Sequence, residues 1–303
     1  MKNLLKTLAV LTFVGGGLLF SSCENEPADG PDGGGGGGSF TPATSIESFI
    51  DFSKNYAYPA SWKNPGVLND LSEFTIEAYV RLNPGARGAG WQVHTPIVCA
   101  RNAAAMGLVQ VAPTIGSPWQ ATAGSHGTYA NSTETYKGGD DGMDLHMVMV
   151  GSNGTFTLYV NGAPVILDQQ MGGWGPYNFA NASGDYANGD CLFLGFMATA
   201  SHDLSVLGTY TTIAGQGMGL ENAAASFQLI KGGLAEVRIW DHKLTVDEIT
   251  AEGHPYAVSP KSEGLVAYWK CDETEGKTLK DATGNGNDLT LYNEIVLLDA
   301  PEE

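Results

Sequence analysis

The chain has 303 residues, with 33 acidic against 15 basic side chains and a formal net charge of −18. A chain this acidic repels nucleic acid and anionic lipid surfaces, and the sequence holds no basic cluster that would overcome the repulsion. It also carries 41 glycines, many aromatic residues and few charges, which is typical of a turn-rich all-β protein rather than a helical one.

The chain begins with the pattern of a secretory signal peptide. Lys2 and Lys6 provide a positive start, an apolar run follows over residues 8–20, and two serines precede Cys23. The apolar run is too short to serve as a finished membrane anchor. A cysteine at this place resembles the lipobox of bacterial lipoproteins, with an ordinary secreted protein as the alternative. Residues 1–22 are therefore predicted to be cleaved, and Cys23 to attach the protein to a membrane through lipid.

Residues 23–40 are predicted to form a flexible tether. The stretch interleaves acidic residues with proline and contains six consecutive glycines, Gly33 to Gly38. It has no apolar face to bury, so we expect it to stay solvated. Its acidic start resembles the signal that moves lipoproteins of one Gram-negative phylum to the cell surface, although acid-rich linkers also serve plain solubility. The predicted location is the outer membrane, with the protein lipid-anchored and exposed at the cell surface.

Two stretches in the first half of the mature chain predict strands. In residues 73–83, Phe74, Ile76, Ala78 and Val80 alternate with more polar side chains, which is the period of a half-buried strand. Residues 145–167 read as two strands joined by the turn sequence GSNG. An Asn-Gly pair at residues 161–162 predicts a second reversal of the chain.

Two further stretches predict strands, and one predicts a helix. Residues 190–196 have the composition of a central strand, and residues 232–240 alternate along another. Thr245 and Glu248 have the spacing of a capping box. They predict one short helix that ends at Gly253.

Three of these segments carry a family resemblance. In order and spacing, residues 74–82, 145–165 and 232–249 resemble the hallmark segments of the laminin-G-like jelly-roll family, within the concanavalin-A-like lectin/glucanase superfamily. The sequence departs from that pattern at Leu145, where the family usually has tryptophan. The resemblance implies an all-β fold, a concanavalin-A-like jelly-roll β-sandwich of two antiparallel sheets with one short helix.

The resemblance also divides the mature chain. Residues 41–255 are assigned to the laminin-G-like domain. Residues 256–303 resemble a strand pair and turn often seen beside this domain, and are assigned to a C-terminal appendix that packs on the sandwich. Three cysteines follow Cys23 in the sequence: Cys99, Cys191 and Cys271. At most one pair can form among them, and burial without pairing is the alternative.

The carboxylates argue against a glycoside hydrolase. Such enzymes place two carboxylates roughly 5–9.5 Å apart across the scissile bond. Arg238 stands two residues after Glu236, where related hydrolases carry an aspartate. Glu73 and Glu77 would lie about 13 Å apart along a strand. The sequence therefore predicts no catalytic residues and no enzyme.

Aromatic residues in irregular, glycine-rich stretches are the candidates for carbohydrate binding. Sugars stack their apolar faces on aromatic rings and offer hydroxyls to amide and carboxylate side chains. The alternative is that these rings fold down and close an end of the sandwich. The candidate ligand-binding residues are Trp91, Trp119, Trp174, Tyr177, Asn178 and Asp185.

Calcium is a candidate cofactor because laminin-G-like domains often hold one ion at the rim. Asp140, Asp141 and Asp144 supply hard oxygen donors near glycine turns. A second Asx-rich turn, residues 281–288, has similar donors. Turns in which these side chains bond their own backbone amides explain both stretches equally well.

Taken together, these patterns predict a non-catalytic carbohydrate-binding lipoprotein of the outer membrane, accessory to polysaccharide capture and uptake. Its expected partners are a polysaccharide or oligosaccharide ligand, the membrane through the lipid on Cys23, and other proteins of a surface complex, with no nucleic acid. The alternative is a structural or adhesive surface lipoprotein that binds protein partners.

Overall fold

A computed structural model describes residues 43–298 apart from 54, 60–61, 83–92, 101–102, 111–117, 126–127, 137–142, 171–174, 181–191, 197–229 and 231. The predicted signal peptide, Cys23, the tether and Cys191 lie outside the described residues. Phe40–Glu303 forms a unit of its own. Within the described part of the chain, no helix has both the length and the apolar character needed to cross a membrane.

Two antiparallel sheets dominate the described residues. Sheet A has seven strands: β1 (Ile50–Asp51), β3 (Glu73–Leu82), β8 (Met143–Ser152), β9 (Thr155–Val160), β10 (Ala163–Val165), β12 (Gly232–Trp240) and β13 (Leu265–Trp269). They are ordered β1-β12-β3-β8-β9-β10, with β13 also paired to β12.

Sheet B has eight strands: β2 (Ala57–Tyr58), β4 (Val93–Ala100), β5 (Ala104–Gln110), β6 (Trp119–Ser125), β7 (Thr128–Asn131), β11 (Phe193–Leu194), β14 (Thr278–Leu279) and β15 (Leu289–Leu291). Their order is β14-β15-β2-β11-β4-β5-β6-β7. A short 3₁₀ helix, Pro65–Leu68, and one α-helix, α1 (Val246–Ile249), complete the described elements. The predicted all-β sandwich of two antiparallel sheets is confirmed.

The core lies between the sheets and follows the predicted alternation. On β3, Phe74, Ile76, Ala78 and Val80 are fully buried in it. β3 pairs with β8 along its whole length, from Glu73 opposite Ser152 to Leu82 opposite Met143. The apolar face of this strand pair therefore has a fixed register, because a slip of one residue would turn it to the opposite side.

Two predicted reversals are present. Asn153 and Gly154 connect β8 to β9 with φ of 49° and 74°, and Asn161 and Gly162 connect β9 to β10 with φ of 50° and 77°. Positive φ at both central residues is the backbone of the two-residue hairpin turns that Asn-Gly favours.

The capping box of α1 is confirmed, but the helix ends sooner than predicted. The Thr245 side chain accepts a bond from the Glu248 backbone, and the Glu248 carboxylate accepts one from the Thr245 backbone. The helix ends at Ile249 instead of Gly253, because Thr250 leaves the helical conformation (φ −99°, ψ 2°). Ala251 then bonds the Glu248 carbonyl at 3.2 Å, which tightens the chain into turns.

A β-bulge in β12 sets which side chains face which way. The register with β3 shifts between Ala235 and Arg238, and Glu236 has φ of 53°. The extra residue lets Leu234 and Val237 both enter the core while Arg238 stands opposite Glu77 on the other face.

Residues 241–264, here called the cover segment, lie across the outward face of sheet A. Leu244, Ile249 and Val258 of this segment pack with Val148 and Tyr268 of the sheet in a second apolar cluster. The Thr75 hydroxyl donates to the His242 carbonyl at 2.9 Å and accepts from the Leu244 amide at 2.8 Å. The outward face of sheet A is therefore buried where the cover segment crosses it.

Residues after the cover segment supply strands to both sheets. β13 extends sheet A beside β12, and β14 and β15 extend sheet B beside β2. Cys271, between β13 and β14, is buried and has a free thiol, and burial raises the pKa of this thiol well above its usual value. It acts as a small apolar residue of the core.

Candidate functional site

Several predicted site residues lie outside the described part of the chain. They are the ligand-binding candidates Trp91, Trp174 and Asp185 and the calcium candidates Asp140 and Asp141. These assignments remain predictions.

Trp119 belongs to the core rather than to a ligand surface. It is fully buried at the start of β6, and its backbone exchanges two hydrogen bonds of 2.7 Å with Tyr136. Ala121 and Ala123, which share its face of β6, lie in the same core. The prediction that Trp119 offers a ring to a ligand is corrected on this ground, because a fully buried ring cannot stack on a sugar.

Tyr177 is likewise a core residue. Its ring lies 4.6 Å from the Phe74 ring in an edge-to-face arrangement, and 1% of its surface is exposed. Its backbone pairs with Leu71 in an isolated bridge. The ring therefore closes the core, which was the alternative stated for these loop aromatics.

Asn178 is exposed, and its side chain serves the local backbone. Its Oδ1 accepts from the Asp70 amide at 3.0 Å, and its Nδ2 donates to the Pro176 carbonyl at 3.3 Å. Asp70 has φ of 58°, so the amide holds a tight turn in place. Trp119, another ligand-binding candidate, is buried in sheet B. It therefore does not form a binding surface together with Asn178.

The one described calcium candidate, Asp144, is engaged by a guanidinium. Arg81 donates from Nε at 2.8 Å and from Nη2 at 2.6 Å to the two carboxylate oxygens of Asp144, its direct cross-strand partner. This bidentate pair occupies both oxygens. Among the described residues, no group of three or more His, Cys, Asp or Glu side chains is placed to hold a metal ion.

The second Asx-rich turn, residues 281–288, bonds its own backbone. Asp281 accepts from the Thr283 amide at 3.1 Å and from the Asn287 amide at 3.0 Å. Asn287 in turn bonds the amide and the carbonyl of Asn64. These side chains therefore fasten the turn to the chain before the 3₁₀ helix, as the alternative to calcium predicted.

A patch of hydroxyl-bearing residues on the outward face of sheet B has side chains of the types that bind sugars. Tyr58 is half-buried and stands directly opposite Thr290, which stands opposite Thr278. Opposed side chains in such a ladder are about 4.5–5.5 Å apart at Cβ. Tyr56 and Tyr292 stack beside them with ring centroids 5.1 Å apart. These five residues are called the tyrosine surface.

The tyrosine surface combines a ring with neutral hydroxyls. Burial raises the pKa of both Tyr56 and Tyr58, so their hydroxyls stay protonated. Tyr58 has an aromatic ring of the kind that packs on the apolar face of a sugar, and Thr278 and Thr290 have hydroxyls that can exchange hydrogen bonds with the hydroxyls of a sugar. Tyr56 is 3% exposed and supports Tyr58 from the side at 5.9 Å.

A second polar constellation lies buried under the cover segment. The Glu77 carboxylate is fully buried; its Oε1 accepts from Trp240 Nε1 at 2.6 Å, and its Oε2 lies 3.0 Å from His146 Nε2 and 2.8 Å from His254 Nε2. Burial opposes its charge, but Arg238 and the two histidines hold the pKa of Glu77 well below its usual value.

Arg238 joins Glu77 to a second carboxylate. Its Nη1 is 3.6 Å from Glu77, and its Nη2 donates to Glu236, which also accepts from the Tyr268 hydroxyl. Burial raises the pKa of Glu236 although Arg238 opposes this. The two carboxylates thus share one fully buried guanidinium. This arrangement gives a substrate no access to Glu77 or Arg238.

Sequence reasoning missed both constellations. The alternation of β3 and β12 indicates that Glu77 and Arg238 share a face, but it does not show that residues 241–264 cover that face. Tyr58 belongs to a strand of two residues, which is too short to produce a periodic signal.

One solved structure has a fold similar to that of this chain. A candidate carbohydrate-binding protein from Bacteroides ovatus is 22% identical with a TM-score of 0.52, over 84% of this chain and 61% of that chain. This chain therefore spans less than two thirds of that protein. A heptameric SAP-like pentraxin from Limulus polyphemus is 14% identical with a TM-score of 0.36, over 69% of this chain and 79% of that one. No protein-family model matches the sequence, and no curated protein matches it.

Proposed function

We propose that this protein is a non-catalytic carbohydrate-binding lipoprotein of the outer membrane, anchored through Cys23 and exposed at the cell surface. Its role would be accessory to polysaccharide capture and uptake. The sequence resemblance supports placing its sandwich in the laminin-G-like branch of the concanavalin-A-like superfamily. The similar Bacteroides ovatus protein, itself a candidate carbohydrate-binding protein, supports the ligand class.

The single observation that carries the proposal is the position of Tyr58. Its half-buried side chain stands opposite Thr290 and in the same cross-strand row as Thr278, on the outward face of sheet B. A supported ring next to hydrogen-bonding groups is what a sugar face requires. Trp91, Trp174 and Asp185 remain predicted contributors.

The non-catalytic part of the proposal is supported by the carboxylates on the outward face of sheet A. Glu77 and Glu236 both contact Arg238 under the cover segment. A glycoside hydrolase needs one free carboxylic acid and one free carboxylate that flank a sugar. Both groups are instead committed to a buried guanidinium.

Affinity electrophoresis of residues 40–303 in gels with different polysaccharides tests the proposal. We expect at least one polysaccharide to retard the protein, and Tyr58→Ala to raise its Kd about tenfold, which corresponds to about 1.4 kcal/mol. Tyr58→Phe keeps the ring and should bind nearly as well. Tyr159→Ala, which removes a half-buried tyrosine of sheet A, is the matched control and should not change binding.

Two outcomes would change the assignment. No retardation by any polysaccharide would favour the adhesive alternative, in which the surface binds protein partners. Retardation that survives Tyr58→Ala but is lost in Trp174→Ala would move the binding site from the tyrosine surface to the predicted loop.

A further inference from the structure

His254 attaches the cover segment to sheet A through two bonds. Its Nε2 lies 2.8 Å from Glu77 Oε2, and its carbonyl accepts from Arg238 Nη1 at 2.8 Å. The sheet residues that it contacts are both fully buried. The end of the cover segment beyond α1 is therefore held by buried polar contacts.

One carboxylate oxygen of Glu77 lies within hydrogen-bonding distance of two histidines from separate elements. Glu77 Oε2 faces His146 of β8 at 3.0 Å as well as His254 of the cover segment. Because Glu77 is held ionised, it can only accept, so both histidines must carry their hydrogen on Nε2. Both imidazoles can do this while neutral.

His146 has no room for a second proton in this arrangement. Its side chain is 4% exposed, and its Nδ1 has no hydrogen-bond partner among the described residues. A proton on Nδ1 would create a buried donor without an acceptor, in the same cluster as the Arg238 guanidinium. Such a group strongly disfavours the closed arrangement.

We propose that Glu77, His146 and His254 form an acid-released latch, which holds the cover segment on sheet A at neutral pH and lets it open when His146 takes up a proton. Opening would expose the apolar surface of Trp240, Val148 and Tyr268 that the cover segment buries. The device lies on sheet A, and the tyrosine surface lies on sheet B.

The direction of the pH dependence follows from the pKa of His146 in the closed and open forms. Burial lowers the pKa of His146 in the closed form, whereas exposure in the open form would restore the ordinary value of about 6.5. The closed form is then favoured above that value, and this preference is lost as the pH falls below it. Glu77, whose pKa is lowered, loses its own contribution only below the ordinary carboxyl range of about 4.

Other groups that face the latch modify this response. Glu236 works in the opposite direction, because its raised pKa lets it take a proton more readily in the closed form. The remaining titratable or charged groups around the cluster are Arg238, Tyr268, Tyr79 and Glu248. Arg238 and the tyrosines keep their charge state between pH 7.5 and 5.5, and Glu248, whose pKa is lowered, stays ionised there.

Hydrogen–deuterium exchange of the full chain tests the latch. Between pH 7.5 and 5.5, and after correction for intrinsic exchange rates, we expect exchange in peptides from residues 241–264 to rise by up to about tenfold, the most that one histidine with an ordinary open-form pKa can give. Peptides from β5 in sheet B should not change. His146→Gln keeps a donor for Glu77 and cannot titrate, so it should abolish the rise. His242→Gln, at an exposed histidine of the same segment, should retain it.

The proposal is overturned if the wild-type segment shows no acid-dependent rise, or if His146→Gln shows the same rise as the wild type. Should His146→Gln lose its near-UV circular dichroism, the imidazole ¹⁵N spectrum of the wild type decides. At pH 7.5 it should show His146 neutral with hydrogen on Nε2, and a charged ring would refute the latch. Polysaccharide retardation at pH 5.5 reports separately on the proposed function.

Discussion

The outward faces of the two sheets differ in how far their polar residues are buried. On sheet A, charged groups such as Glu77 and Arg238 lie on the outward face but are fully buried by the cover segment. On sheet B, Tyr58, Thr278 and Thr290 lie on the outward face and keep part of their surface in solvent. The cover segment closes the first face, whereas the second keeps these three side chains partly exposed.

This difference shows what burial demands of polar residues. A charge removed from water must find partners within the protein, and the cover segment helps to supply them through His254. Partly exposed hydroxyls need no such partners within the protein, because water can bond them until a ligand replaces it. A polar residue on a strand can therefore be assigned a binding role only when its solvent exposure is known.

The largest expected effect on stability comes from removing the buried positive charge of Arg238 on the outward face of sheet A. Arg238→Met leaves Glu77 and Glu236 without their shared cation. We expect the free energy of unfolding to fall by about 3–5 kcal/mol, because buried charges are left uncompensated. Urea denaturation at pH 7.5 measures this loss.

The matched control is the exposed pair of the same sheet. Arg81 and Asp144 retain 21% and 38% of their side-chain exposure, so Arg81→Met should cost about 1 kcal/mol or less. Equal losses in the two variants would mean that the cover segment does not isolate its cluster from solvent.

A second prediction contrasts two aromatic residues of sheet B. Trp119→Ala should lower the free energy of unfolding by about 3–5 kcal/mol, because it empties a fully buried indole site. Tyr58→Ala should cost only about 1 kcal/mol, as its side chain keeps part of its surface in solvent. Denaturation curves for the two variants check this order, and a Tyr58 loss as large as that of Trp119 would place Tyr58 in the core and remove it as a ligand contact.

Local sequence pattern was enough for much of the fold. β3, the β8–β9 hairpin, β12 and the capping box at Thr245 each depend on residues close in sequence, and each is present. The helix was predicted too long, because a capping signal marks its start more strongly than any residue marks its end. The pairing of β15 with β2 joins residues more than 200 positions apart, and local periodicity contains no information on such a contact.

The candidate site was less predictable for the same reason. Exposure decided the roles of Trp119 and Tyr177, and exposure depends on which segments pack above a residue. Both residues are rings in glycine-rich sequence, yet both lie in the core. Asn178 remains exposed but serves the turn at Asp70. The sequence therefore indicated which residue types could bind a sugar, but it did not show which of those residues are exposed.

The smallest expected effect comes from Thr245→Ala, which tests whether the cover segment can open locally while the sheet beneath it stays folded. Thr245→Ala removes the side-chain acceptor for the Glu248 amide at the start of α1, which should cost about 1 kcal/mol. If the cover segment opens as a unit, exchange should rise in residues 241–264 and stay unchanged in β3 and β8. Thr157→Ala, at an exposed strand threonine of β9, controls for the loss of a surface hydroxyl. A uniform rise across β3, β8 and the cover segment would instead show that the closed face unfolds only together with its sheet, since the cap would then report on global rather than local opening.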